Sequence, residues 1–174
     1  MLNNFFILLL LFNTISSESS NFPIVTILGS ANVHGEIEPC GWKKKPLGGL
    51  ARKATILDGI KSKDFSPIIV DAGNLFFKNN KPTIGLNNDI SKINAEVIVN
   101  SFNIIGCDAF SIGENDLSNG IDYLFQLQND SNFPFISANI VDKNNKLIFK
   151  PYTIVERDIR IAFIGLASIF THSD

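Results

Sequence analysis

The apolar positions of this chain change period several times, and each change predicts a new structural element. Short continuous apolar runs rich in β-branched side chains are typical of strands that are buried on both faces. Four such runs are present, at residues 24–29, 67–71, 108–113 and 133–138. Two further runs, at residues 147–155 and 159–166, predict a final pair of strands.

Between the first four runs the period becomes helical, with apolar residues at steps of three or four. The sequence predicts helices that begin after Gly48 and Gly49, cover residues 88–104, and cover residues 117–127. The second helix is predicted to end before Gly106, in the usual position of a C-terminal glycine. The predicted buried faces are Leu50, Ala54, Leu57 and Ile60, then Ile90, Ile93, Val97 and Ile104, then Ile121, Leu124 and Phe125.

Strand and helix therefore alternate three times, which favours a layered α/β fold with parallel strands at its centre. The last apolar run ends shortly before residue 174, and no helix follows to cover it. A strand this apolar is expected to be covered on both faces. We interpret the chain as a fragment or a truncated gene product, with a domain that is incomplete at its C-terminus.

The first twenty residues differ from the rest. Residues 5–12 form an unbroken apolar run, followed by small and polar residues. Because this run is shorter than the roughly 20 residues needed to span a bilayer, a signal peptide over residues 1–20 is the preferred interpretation. Cleavage is expected near Ser16 or Ser17. The segment lacks Lys and Arg, so an uncleaved N-terminal anchor is the alternative.

A signal peptide implies a secreted, periplasmic or cell-envelope protein. The remaining residues, 22–174, number about 150 and are expected to form one domain. With 45% hydrophobic and 18% charged residues, that domain can bury a sizeable core. Fifteen basic and seventeen acidic residues leave a net charge of −2, which argues against a nucleic-acid partner and limits membrane contact to the N-terminal segment.

Two cysteines, Cys40 and Cys107, lie far apart in the sequence. An exported chain could join them in a disulfide, but spacing alone does not show that their Cβ atoms meet. A buried free thiol is the preferred interpretation for Cys107, because it directly precedes an apolar strand.

Three short polar loops carry the candidate chemistry. They are Asn32-Val33-His34-Gly35, Asp71-Ala72-Gly73-Asn74 and Gly113-Glu114-Asn115-Asp116. Each loop follows a predicted strand, and the carboxyl ends of parallel strands meet at one edge of a sheet, where ligands bind. Imidazole, carboxylate and amide side chains are all metal ligands, so the sequence predicts a polar site, with metal binding as one candidate role.

Each of these residues also has a structural alternative. His34 could be an ordinary loop histidine, and Asn74 could simply stabilise a turn. Asp116 is placed to cap the following helix, a role about as probable as a catalytic one. Asp71, between two apolar residues, is expected to be a buried structural acid. Glu114 is expected either to face solvent or to bind a positive group.

Six short motifs, taken in order, resemble those of the calcineurin-like metallophosphoesterases in their 5′-nucleotidase branch. They are the three loops together with Gly48-Gly49-Leu50-Ala51-Arg52, Gly106-Cys107-Asp108-Ala109 and Pro134-Phe135-Ile136-Ser137-Ala138-Asn139. The resemblance implies a metallophosphoesterase-like sandwich of two mixed β-sheets flanked by helices. It also implies hydrolysis of phosphate esters such as nucleotides, with divalent metal ions of the Mn, Mg, Zn or Fe class.

By the same resemblance, Asn32, His34, Asn74 and Glu114 occupy metal-ligand positions. Asn115 occupies the position of a catalytic histidine, and we include the adjacent Asp116 in the predicted catalytic pair. Only His34 retains the family's residue. Because amides carry no charge and do not titrate near neutral pH, two hypotheses follow: an exported metal-dependent hydrolase, or a catalytically degenerate module with a binding or structural role.

Overall fold

The computed structural model describes residues 24–41, 47–63 and 66–168, so the predicted signal peptide lies outside the described residues. The strands are β1 Ile27–Ser30, β2 Ile68–Asp71, β3 Ala109–Ser111, β4 Phe135–Ile136, β5 Tyr152–Glu156 and β6 Arg160–Ile164. The helices are α1 Leu50–Lys61, α2 Leu86–Ile105 and α3 Ile121–Asn129. A single 3₁₀ turn, Glu114–Leu117, precedes α3.

Strands β1 to β4 form one parallel sheet in sequence order. Ser30 at the end of β1 lies opposite Asp71 at the end of β2, so the loops that follow these strands leave the sheet at the same level. Each connection contains a helix, and right-handed crossovers in this order place all three helices on one face of the sheet. The predicted α/β alternation is confirmed.

Strands β5 and β6 form an antiparallel pair, as the two final apolar runs predict, with shorter bounds. Arg157, in the turn between them, pairs with Asp108 at 2.8 Å. The other carboxylate oxygen of Asp108 accepts the Ile69 N–H at 2.8 Å, so the hairpin is tied to the parallel sheet. The sheets expected from the resemblance are mixed, whereas among the described residues one is wholly parallel and the other antiparallel.

Phenylalanine rings fill the core between the sheet and its helices. Phe110 on β3 and Phe135 on β4 pack edge to face, with ring centroids 4.7 Å apart. Phe76, from the loop after β2, stacks on Phe135 at 5.9 Å. Such pairs contribute roughly 0.5–1.5 kcal/mol each beyond the area that they bury. The loop after β2 is therefore anchored in the core.

The predicted buried face of α2 is wrong. Ile90, Ile93, Val97 and Ile104 form a stripe that is substantially exposed, and Ile104 is 86% exposed. The buried residues of α2 are instead Ala95, Ile98, Val99, Phe102 and Ile105. This helix has apolar residues on both faces, and the face with the large aromatic ring packs on the sheet.

Two predicted boundaries also require correction. Helix α3 begins at Ile121 rather than residue 117, because residues 114–117 form the 3₁₀ turn. Its buried face uses Leu124 and Leu127, while Phe125 is 36% exposed. Strand β1 begins at Ile27 rather than residue 24.

Cys40 and Cys107 are both free thiols. The Cys107 thiol lies 3.4 Å from the Ala109 carbonyl oxygen, and burial raises its pKa to about 12. No helix in the described part of the chain has the length and apolarity to cross a bilayer.

Candidate functional site

The loops after β1 and β2 are joined by backbone hydrogen bonds. The Asn32 N–H donates to the Gly73 carbonyl at 2.9 Å, and the His34 N–H donates to the Asn74 carbonyl at 2.9 Å. The two loops therefore run beside each other at the carboxyl edge of the sheet, as the strand order requires. His34 and Asn74 lie next to each other because of this pairing.

The loop after β3 lies just as close, and two glycines make that approach possible. A Cβ atom at Gly73 would lie 2.8 Å from both the Gly113 nitrogen and the Ser111 carbonyl oxygen. A Cβ atom at Gly113 would collide with the backbone and side chain of Asn74. Gly73 also has φ +107, a region that residues with a Cβ rarely adopt.

Asn74 connects all three loops through its side chain. Its Nδ2 donates to Asn32 Oδ1 at 3.0 Å, which links the loops after β2 and β1. Its Oδ1 accepts the Asn115 N–H at 3.0 Å, which links the loops after β2 and β3. Asn74 has φ +54 and Asn32 has φ +57, the left-handed region that asparagine tolerates better than most residues.

His34 and Asn115 complete the contact between the first and third loops. Asn115 Nδ2 lies 3.4 Å from His34 Nδ1 and also donates to the Lys78 carbonyl at 3.0 Å. His34 Nδ1 lies 3.4 Å from the Phe77 carbonyl as well. The ring is therefore held by its Nδ1 edge. The structure brings Asn32, His34, Asn74 and Asn115 together, as the sequence predicts.

Glu114 makes its contact elsewhere. Its Oε1 accepts a hydrogen bond from Asn80 Nδ2 at 2.7 Å, so one carboxylate oxygen is shared with an amide of the loop after β2. The sequence contains no signal that would have identified Asn80 as this partner. Glu114 neighbours Asn115 in sequence, but its side chain bonds to Asn80, which is not one of the four residues brought together above.

Asp116 lies under the site and is only 1% exposed. Its Oδ2 accepts the N–H groups of Asn74 and Gly113, and its Oδ1 accepts the N–H of Phe76, each at 2.9 Å. Burial raises its pKa to about 7, although these three donors act in the opposite direction. The geometry is that of a supporting residue that fixes two loops, and the predicted catalytic role of Asp116 has no further support in these contacts.

A second buried acid fixes the ends of β1 and β2. Asp71 accepts hydrogen bonds from Ser30 Oγ at 2.6 Å and from the Gly73 N–H at 3.0 Å. Lys53 on α1 donates to the same Ser30 oxygen at 2.7 Å. Burial raises the pKa of Asp71 and lowers that of Lys53. The expected structural role of Asp71 agrees with this geometry, while its partners Ser30 and Lys53 were not predicted.

Known proteins resemble this arrangement in sequence and in fold. The 5′-nucleotidase of Vibrio parahaemolyticus is 32% identical over 151 residues, which cover 83% of this chain and 25% of that protein. The chain is related to the N-terminal part of the 5′-nucleotidases. The kinship with calcineurin-like phosphoesterases that the six motifs predict is confirmed. No protein-family model matches the chain.

Solved structures agree on the fold of this 5′-nucleotidase relative. The calcineurin-like phosphoesterase YfkN from Bacillus subtilis superposes with a TM-score of 0.65 at 20% identity, covering 82% of this chain and 48% of that one. A 5′-nucleotidase precursor from Thermus thermophilus gives 0.65 at 22% identity, covering 83% and 28%. The chain thus has the calcineurin-like phosphoesterase fold and spans about a quarter of the length of the curated relatives it matches.

The amide side chains at this sheet edge do not by themselves fit a cluster of two divalent cations. A carboxylate between two cations would balance part of their charge, and at the position where the resemblance implies such a ligand the chain has the neutral Asn74. Its amide groups are already bonded to Asn32 and Asn115. Among the described residues, no three His, Cys, Asp or Glu side chains are grouped to hold a metal. The metal-ligand roles of Asn32, His34, Asn74 and Glu114 stay predictions.

Proposed function

We propose that this chain is part of an exported, 5′-nucleotidase-like phosphoesterase that acts on nucleotide phosphate esters. The observation that carries the proposal is the convergence of the three polar loops at one sheet edge, in a chain related to 5′-nucleotidases. The divalent metal ions expected from the resemblance belong to this proposal, as does the catalytic role of Asn115.

A pocket beside His34 supports a phosphorylated ligand. Its lining residues include His34, Asn94, Lys78 and Lys81, together with Glu36, which lies 4.0 Å from the Lys78 ammonium. Imidazole and amide N–H groups donate hydrogen bonds to phosphate oxygens, and lysine supplies the compensating charge. These residues would bind and orient the ester, with His34 as the candidate general base.

A second candidate function is a catalytically degenerate module that binds nucleotides without hydrolysing them. The neutral, mutually bonded amides at positions 32, 74 and 115 favour it. An amide does not titrate near neutral pH, so Asn115 cannot transfer a proton as an imidazole does.

One experiment separates the two functions. The full-length protein would be assayed with nucleoside 5′-monophosphates and Mn²⁺ for release of phosphate, and by calorimetry for binding. The catalytic proposal expects metal-dependent turnover by the wild type. The degenerate alternative expects binding alone, with turnover only in the triple variant Asn32→Asp, Asn74→Asp, Asn115→His. Asn100→Asp, at an exposed position of α2, is the matched control.

If the wild type and the triple variant both showed no binding and no turnover, both proposed functions would be contradicted. Export is tested separately by expressing the chain in a secreting host and determining the mature N-terminus by mass spectrometry. A new N-terminus near Ser16 or Ser17 is expected. Retention of residues 1–20 on a membrane-bound product would support the anchor instead.

A further inference from the structure

The side chains of the three loops form a closed chain of contacts. Asn32 bonds to Asn74, the Asn74 side chain bonds to the backbone of Asn115, and the Asn115 side chain lies against His34. Since Asn32 and His34 both belong to the loop after β1, these contacts form a closed ring through the three loops. We call Asn32, His34, Asn74 and Asn115 the amide junction.

Neighbouring members of the amide junction pair a donor with an acceptor. An asparagine carries both, so two asparagines can hydrogen-bond directly to each other, as Asn74 Nδ2 and Asn32 Oδ1 do. An aspartate carries acceptors only. If two aspartates occupied positions 32 and 74, where the bonded atoms are 3.0 Å apart, two carboxylate oxygens would face each other and, when both are ionised, would repel unless a cation lay between them.

We propose that the amide junction takes the place of a bridging cation, so that the three loops are held together without divalent metal. The inference goes beyond the proposed function and agrees with its non-catalytic form, because a cation bound between these loops for turnover would also stabilise the fold. It rests on the neutrality of the three amides and on the hydrogen bonds that already join positions 32, 74 and 115. It predicts that the folding stability becomes dependent on a divalent metal when only the charge at these positions is changed.

Thermal unfolding of the full chain in excess EDTA and in Mn²⁺ tests this proposal. For the wild type we expect midpoints that agree within about 1 °C, because no cation joins the loops. Asn32→Asp keeps the acceptor for Asn74 Nδ2. Asn74→Asp keeps the acceptor for the Asn115 N–H, and a rotated Asn32 amide can donate to its new oxygen. Each single variant therefore keeps a bond between positions 32 and 74.

The double variant Asn32→Asp, Asn74→Asp has no donor between these positions. In EDTA we expect its midpoint to fall about 5 °C or more below the sum of the single effects, and Mn²⁺ to restore most of that loss. Asn100→Asp, on the exposed face of α2, should respond to neither treatment. This comparison separates a general effect of added charge from an effect at the junction.

The inference is overturned if EDTA lowers the wild-type midpoint by several degrees, or if Mn²⁺ raises it. It is also overturned if the double variant behaves as the sum of its parts in EDTA. Should the double variant fail to fold in EDTA, refolding it in Mn²⁺ supplies the same test, since recovery in Mn²⁺ supports the proposal and failure in both contradicts it. A loss of nucleotide activity in any variant bears only on the proposed function.

Discussion

At the residue scale, the arrangement of the site depends on a carboxylate that lies beneath it. Asp116 accepts N–H groups from Asn74, Phe76 and Gly113, which belong to two different loops. None of these three N–H groups belongs to a helix or a strand, so without the carboxylate the buried Phe76 N–H and the half-buried Asn74 and Gly113 N–H groups would each lose this acceptor. Unsatisfied buried donors each cost about 1–3 kcal/mol.

We therefore expect Asp116→Ala to lower the free energy of unfolding by about 3 kcal/mol or more. Urea unfolding monitored by circular dichroism would measure it. Asp58→Ala, an exposed aspartate on α1, should change the same quantity by no more than about 0.5 kcal/mol. Equal effects of the two substitutions would contradict the supporting role assigned to Asp116.

Asp71 leads to a prediction about pH. Burial disfavours its charged form and raises its pKa in the folded chain. The stabilisation from the bound proton is therefore complete below the unfolded pKa of about 4 and is lost as the pH rises through the higher folded pKa. Asp71→Asn cannot ionise, so the wild type should lose stability relative to this variant as the pH rises above about 4.

Urea unfolding of both proteins at several pH values would measure this difference. Any constant loss caused by the new amide beside Ser30 cancels, because only the change with pH is compared. A difference that stays flat, or one that grows in favour of the wild type, would show that the folded chain does not hold the Asp71 proton more tightly.

Sequence alone predicted which loops meet at the sheet edge, but not the contacts between their side chains. The positions of Asn32, His34 and Asn74 follow from strands that end in polar loops, so their proximity could be expected from topology. The bond between Glu114 and Asn80 could not, because it depends on the path of an irregular loop. The burial of Asp116 could not be predicted either, because an aspartate just before a helix fits both a capping role and a catalytic role.

At the scale of elements, α2 shows why an apolar pattern can mislead. It carries one stripe of isoleucine and valine and another that includes Phe102, and both have helical spacing. Periodicity identifies the helix but does not say which stripe faces the sheet. The larger stripe, which continues into Ile98 and Ile105, is the one that packs.

The two stripes of α2 offer a matched pair of substitutions. Ile98 is fully buried and Ile104 is 86% exposed, and both lie in the same helix. Ile98→Ala should destabilise the fold by about 2–5 kcal/mol, because it removes packed atoms and leaves a cavity. Ile104→Ala should be within about 0.5 kcal/mol of the wild type, since alanine favours the helix and little burial is lost.

Chemical denaturation of the two variants in parallel checks this assignment. Similar losses would mean that the outer stripe is also covered, by another part of the protein or by a second molecule. A larger loss of stability for Ile104→Ala would show that the opposite face of α2 packs on the sheet.

At the scale of the whole molecule, the chain has the calcineurin-like phosphoesterase fold, and this could be predicted from six ordered motifs. The parallel sheet brings the three polar loops together at one edge. The presence of amides at positions 32, 74 and 115 was visible in the sequence too. That the amides bond to one another was not, because it depends on backbone conformations such as the positive φ of Asn32 and Asn74.

Backbone hydrogen exchange tests the central claim most directly, because one amide proton reports on the junction of the loops. The Asn115 N–H bonds to the side chain of Asn74, so it should exchange slowly in EDTA in the wild type. Asn74→Gly removes that acceptor and tolerates the positive φ, and the Asn115 proton should then exchange rapidly. The Gly106 N–H, bonded within the end of α2, should be unchanged. An Asn115 proton that exchanges at the unstructured rate in the wild type, or that remains protected in Asn74→Gly, would contradict the account.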